Sequence, residues 1–183
     1  LEFRRVLFRS TMSSAANQVY ITRLNAFSGT INNANKFTIG SGTAAPTIQR
    51  GYAATETTGS LSGIPTLNTT AGNVNLVYAL APSQMTEGPE IPASRAIGSI
   101  TMQNTSGLIV SDNLTISGAV ALTSGVITVA NNKTINFTAT ANVPTPAFGA
   151  TSYINGIVSR ALNSNISTAL SFPVGNTSGF RGV

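Results

Sequence analysis

Between Ile100 and Phe137 the chain repeats one small unit, an apolar pair split by a single residue and followed by a short polar turn. The pairs are Ile100/Met102, Leu108/Val110, Leu114/Ile116, Val120/Leu122, Ile127/Val129 and Ile135/Phe137, and their starts lie 8, 6, 6, 7 and 8 residues apart. Period-two alternation puts both members of a pair on one face of a strand. Asn-Thr-Ser-Gly, Ser-Asp-Asn, Ser-Gly, Thr-Ser-Gly and Asn-Asn-Lys stand between the pairs as turns. This spacing is tighter than the roughly 8–12 residues per strand of a sandwich. Three steps cover about 21 residues, the length of one coil of a parallel β-solenoid with three short strands per turn. The expected class is therefore all-β, a parallel β-solenoid resembling a right-handed β-helix. An antiparallel β-sandwich of short hairpins is the alternative. In a solenoid each buried Ile, Leu or Val contributes roughly 1.5–3 kcal/mol, and only when the neighbouring coils cover it.

A longer self-similarity is superposed on the short one. Ser28–Ile39 (SGTINNANKFTI) matches Ser124–Ile135 (SGVITVANNKTI) at seven of twelve positions, 96 residues apart. This divides the chain into a first β repeat unit at 11–96, a second at 97–142, and a C-terminal linker and truncated segment at 143–183. In the first unit Val74/Leu76/Tyr78/Leu80 is the clearest strand, and Phe37/Ile39 a second. Residues 81–96 (APSQMTEGPEIPASRA) read as a connector in which Pro82, Pro89 and Pro92 preclude regular pairing. Val143–Pro146 makes a further break. No amphipathic helix is expected.

Composition narrows the chemistry. The chain has 183 residues, of which 25 are Thr, 20 Ser, 18 Asn and 17 Gly, while Cys, His and Trp are absent and only 8% are charged. Histidine-based triads, His-ligated metals and disulfide scaffolds are thereby excluded. No window approaches the roughly 18 apolar residues of a membrane span. The first ten residues (LEFRRVLFRS) differ from the rest and hold three of the ten basic residues. With no apolar stretch behind them they do not make a targeting signal. They resemble a translated cloning or sequencing adaptor and are set aside. The formal charge of +5 then falls to +3, from seven basic and four acidic residues. The remaining cations (Arg23, Lys36, Arg50, Arg95, Lys133, Arg160, Arg181) are scattered singly, without the clustering and stacking aromatics of a nucleic-acid face. No nucleic-acid partner is expected.

Four carboxylates remain, Glu56, Glu87, Glu90 and Asp112. A glycosidase needs two at a set separation, and only Glu87 and Glu90 are neighbours. They read as solvated loop charges or as partners for Arg95, with a weak cation site as the other reading. Asp112 reads as a turn residue that bonds its own backbone. Gly40–Thr43 has glycines but no following helix, and Gly59–Gly63 (GSLSG) carries Leu where a nucleophile elbow needs Ser. Asn-x-Ser/Thr sequons occur at Asn68, Asn104, Asn113, Asn132, Asn136, Asn165 and Asn176, close to the number that 45 Ser/Thr produce by chance. Thr suits strands and Asn suits turns, which accounts for rows of small polar residues without a ligand. Glycan hydroxyls or ice are the ligands such rows would take. The chain is thus expected to be no enzyme: catalytic residues none, cofactor none, metal none.

Thr86–Ser94 (TEGPEIPAS) leads into Gly98–Leu108, then Asp112–Ile127 (DNLTISGAVALTSGVI), and later Ser152–Arg160 (SYINGIVSR) and Ser171–Gly175 (SFPVG). Together these resemble large secreted repeat proteins of the Bacteroidetes type, in which "GxEIPxS" precedes "LTINN" and "LTSG" strands and an "SYVNGxVxR…FPVG" segment. The likeness covers residues 85–183 well and 19–80 loosely. It implies export by the type IX secretion system, an extracellular or outer-surface location, and an adhesin-like role. The function expected is a non-catalytic structural or adhesive repeat segment meeting surface glycans or other cell-surface components. The alternative is an accessory or glycan-binding β-helix region of a secreted carbohydrate-active enzyme.

Overall fold

The computed structural model describes residues 20–55, 58–142, 149–162 and 170–181. The adaptor-like residues 1–10, Glu56, the break at 143–146 and Asn165 lie outside the described residues. Inside them the chain is a parallel β-solenoid of about six turns with no α-helix, as its spacing predicts.

After β1 (Tyr20–Ile21), the first coil carries β2 (Arg23–Ala26), β3 (Thr30–Ile31) and β4 (Thr38–Ile39), with a single 3-10 turn at Ala34–Lys36. The second carries β5 (Thr47–Arg50), β6 (Ser60–Leu61) and β7 (Thr66–Leu67), and the third β8 (Asn75–Tyr78), β9 (Met85–Thr86) and β10 (Ala96–Ile97). The fourth has β11 (Ile100–Met102), β12 (Leu108–Val110) and β13 (Leu114–Ile116), and the fifth β14 (Val120–Leu122), β15 (Ile127–Val129) and β16 (Thr134–Phe137). The sixth contributes β17 (Ile154–Asn155) and β18 (Ile157–Arg160), followed by β19 (Val174–Asn176) and β20 (Gly179–Phe180). The sequence's 96-residue likeness compares the first coil with the fifth, whose opening strands begin at 23 and 120. The structural unit is one coil, and the offset spans four of them.

Each coil visits three faces in order. The first face is one parallel ladder, β2-β5-β8-β11-β14. The second holds β3-β6 and, separately, β9-β12-β15-β17-β19, with β20 folding back antiparallel on β19. The third holds β1-β4-β7 and, separately, β10-β13-β16-β18. Register fixes the core as stacked rows. Leu24, Ile48, Leu76, Ile100 and Val120 align on the first face, and Met85, Leu108, Ile127 and Ile154 on the second. Ile97, Ile116 and Phe137 align on the third. All of these are buried. The six apolar pairs of the sequence are the inward residues of β11–β16, each with its middle residue facing out.

Two expectations need correction, and one expected turn does more than turn. Residues 81–96 are not free of regular pairing: β9 pairs with β12 and β10 with β13. Pro82 sits in the turn before β9, and Pro89 and Pro92 in the loop between β9 and β10, where no ladder bond is asked of them. Leu80, the last of the apparent Val74/Leu76/Tyr78/Leu80 alternation, is 40% exposed, because β8 ends at Tyr78 and the chain turns there. At the corner after β11, Asn104 is wholly buried. Its side chain accepts from the Ala81 amide and donates to the Ser83 and Gly107 carbonyls, so a residue of a predicted turn also ties two coils together.

Candidate functional site

Outward residues form rows along the axis. Asn25, Gln49, Val77, Thr101 and Ala121 align on the first face, Thr86, Ile109, Thr128 and Asn155 on the second, and Ala96, Thr115, Asn136 and Ser159 on the third. None of these is charged, and several bond along the row. Ser159 donates to Asn136, Thr30 meets Ser60 at 2.9 Å, and Ser99 reaches the Asn75 side-chain carbonyl through both its amide and its hydroxyl. Such bonds fix the spacing of hydroxyls and amides on the surface.

The two corners flanking the second face differ in chemistry. At the corner entering it, Phe27 and Tyr52 follow β2 and β5 with ring centroids 4.9 Å apart, and Leu80 follows β8. Tyr52 is 59% exposed, and Gln49 beside it donates to the Gly51 carbonyl. At the corner leaving it, charges alternate over the third to fifth coils. Both oxygens of Glu87 accept from Arg95, at 3.0 and 2.8 Å, and the Ser111 amide also donates to Glu87. Arg95 further reaches the Asp112 and Asn113 carbonyls. Asp112 accepts from the Asn113 amide and pairs with Lys133 at 2.7 Å, and the Lys133 hydrogen bond in particular holds its carboxyl below the usual carboxylate range.

Glu87 is therefore the Arg95 partner that the sequence suggested, and Asp112 the turn residue it suggested. Glu90 is neither a solvated loop charge nor a partner of Arg95. It is 1% exposed and pairs with Arg50 at 2.7 Å. The two carboxylates are not brought together on one cation, because each already faces its own guanidinium. Among the described residues no three His, Cys, Asp or Glu side chains gather as a metal-binding group.

The Glu90 cluster escapes sequence reading. Arg50 occupies an inward position of β5, in the row Ala26, Arg50, Tyr78, Met102, Leu122. Its Nε donates to the Gly59 carbonyl at 2.8 Å, and its Nη1 to the Thr86 carbonyl and to Glu90 Oε1, each at 2.7 Å. The Tyr78 hydroxyl and the Gly88 amide donate to the same Oε1. Burial first, then the Glu90 carboxylate, push the Tyr78 hydroxyl well above the ordinary phenol range. One local signal exists, a cation in the apolar phase of Ile48-Gln49-Arg50, but nothing nearby marks its partner 40 residues away.

No protein-family model, curated protein or solved structure matches this chain. No helix among the described residues is long and apolar enough to cross a membrane.

Proposed function

We propose that this chain is a structural or adhesive repeat segment of a large secreted or cell-surface bacterial protein, non-catalytic, presenting its outer faces to surface glycans or other cell-surface components. The observation that supports it best is the use of charge. Each of the three described carboxylates, Glu87, Glu90 and Asp112, has a cation of its own, and each joins neighbouring coils, Glu87 through the Ser111 amide and the other two through their ion pairs. Apart from Arg23 at the edge of the first face, the outward strand rows named above are uncharged hydroxyls, amides and apolar groups at the solenoid's repeat. Such a surface suits many weak contacts with neutral hydroxylated partners. Among the described residues it offers no pair of carboxylates poised for hydrolysis.

The exposed Tyr52 beside Phe27 favours a second reading, a glycan-binding accessory region of a secreted carbohydrate-active enzyme. An aromatic face packs against the apolar face of a pyranose, and Gln49, three residues before Tyr52, adds an amide. The test is a glycan array probed with the full chain, with and without a calcium chelator, alongside Tyr52→Ala. Weak binding to many neutral glycans, unchanged by chelation, is expected of the adhesive segment. Strong retention on one polysaccharide, lost in Tyr52→Ala, favours the accessory module. Release of reducing sugar from any array polysaccharide overturns both.

A further inference from the structure

Among the described residues, the ladder is interrupted on two of its three faces between the second and third coils. On the first face β5 pairs with β8 over four residues, from Thr47 with Asn75 to Arg50 with Tyr78. On the other two faces the second and third coils do not pair: β6 ends one sheet and β9 begins the next, and β7 and β10 are divided in the same way. Long excursions flank this seam, residues 51–59 between β5 and β6 and residues 87–95 between β9 and β10. The equivalent corners of the fourth coil are shorter, 103–107 and 111–113. Among the described residues, strand pairing between these two coils is kept on the first face only.

A side chain crosses where the backbone does not. Arg50, anchored in the second coil, donates to the carbonyl of Gly59 beside β6 and to that of Thr86 in β9. Its charge is met by Glu90, which the 87–95 excursion carries back under the surface. Glu90 Oε2 has no hydrogen-bond partner among the described residues, although it is buried. An unpartnered buried carboxylate oxygen is costly, which makes this the weakest-held level of the described stack.

We propose that the seam between the second and third coils is a hinge, with the continuous first face as its leaf and the Arg50–Glu90–Tyr78 cluster as its latch. Opening the latch hydrates both Glu90 oxygens and the Arg50 guanidinium. The first and second coils then swing against the third to sixth about the β5–β8 ladder, and neither block loses its own strand pairing. In a surface repeat this yields a bend at a fixed place under load.

The chain has no cysteine, so spin labels on introduced ones report unambiguously. Thr30→Cys with Thr105→Cys spans the seam, and Thr105→Cys with Thr177→Cys lies wholly on its C-terminal side. All three residues are exposed, and each pair is about three coil steps apart, roughly 14 Å along the axis at the usual strand spacing. In Glu90→Ala the seam-spanning distance distribution is expected to broaden by several ångström while the control pair keeps its width. Equal widths in both pairs, narrow or broad, overturn the hinge. If Glu90→Ala does not fold, the unsubstituted latch is read instead in rising urea. The spanning pair must broaden at a lower concentration than the control, and a shared midpoint overturns the proposal.

Discussion

Arg50 and Glu90 show how one residue pair decides the character of a core. Two charges taken from water into a stack of Ile, Leu and Met recover their hydration only through each other and through fixed hydrogen bonds. Three donors converge on Glu90 Oε1, and Arg50 satisfies two carbonyls besides. Removing one partner leaves the other buried and uncompensated. Glu90→Gln is expected to cost about 3–5 kcal/mol, measured by urea unfolding. Arg50→Met combined with Glu90→Leu is expected to cost less than that single change, since it removes both desolvation penalties together. A double variant as damaged as the sum of the singles would show no coupling between Arg50 and Glu90, and would sink the idea that each single change costs by stranding the other charge. Tyr78 supplies a pH dependence of known sign. Its folded-state pKa is raised, so the unfolded chain loses this proton first as pH climbs. The stabilisation is complete below about pH 10, the unfolded value, and declines above it. The melting temperature of the chain is therefore expected to fall more steeply between pH 10 and 11.5 than that of Tyr78→Phe, and parallel curves would remove Tyr78 as the cause.

A single strand here is two to four residues long and owes its place to the strands above and below it. In β13, Leu114 and Ile116 are wholly buried between β10 and β16 while Thr115 looks outward. Leu114→Ala should cost about 2–5 kcal/mol and Thr115→Ala within about 0.5 kcal/mol, measured as shifts in the urea midpoint. Comparable losses would mean the alternation does not separate core from surface. The same alternation is what made the strands legible. From Ile100 to Phe137 every inward strand residue is visible as one of an apolar pair, because each coil repeats the pattern and turns of three to five residues leave no room for ambiguity. Legibility failed where the pattern was interrupted from outside. Leu80 continued the alternation in sequence, but the strand had already ended. Arg50 broke the alternation with a polar residue whose justification lies in Glu90, on another coil. β9 and β10 hid among prolines, since two-residue strands carry too little alternation to be seen without their neighbours. Tyr52 and Phe27 became a surface feature only once stacking brought successive corners together, which one-dimensional spacing does not express.

At the scale of the molecule, a solenoid is nearly one-dimensional: its stability is the sum of what each coil holds and what each interface adds. The interface between the second and third coils has one paired face, against three between the fourth and fifth. On the weak side stand two coils whose second- and third-face strands are two residues long. About three stacked repeats are needed for stability in such folds, so these coils borrow theirs through the first face and the Arg50 latch. Unfolding should then occur in blocks. Hydrogen exchange followed by mass spectrometry in rising urea is expected to expose the amides of Leu24–Ala26 and Ile48–Arg50 at lower denaturant than those of Thr101, Thr115 and Thr128. Exchange at one common denaturant concentration would mean the first-face ladder alone couples the stack. The seam would then be no weaker than the other levels, and the mechanical unit would be the whole solenoid instead of its two blocks.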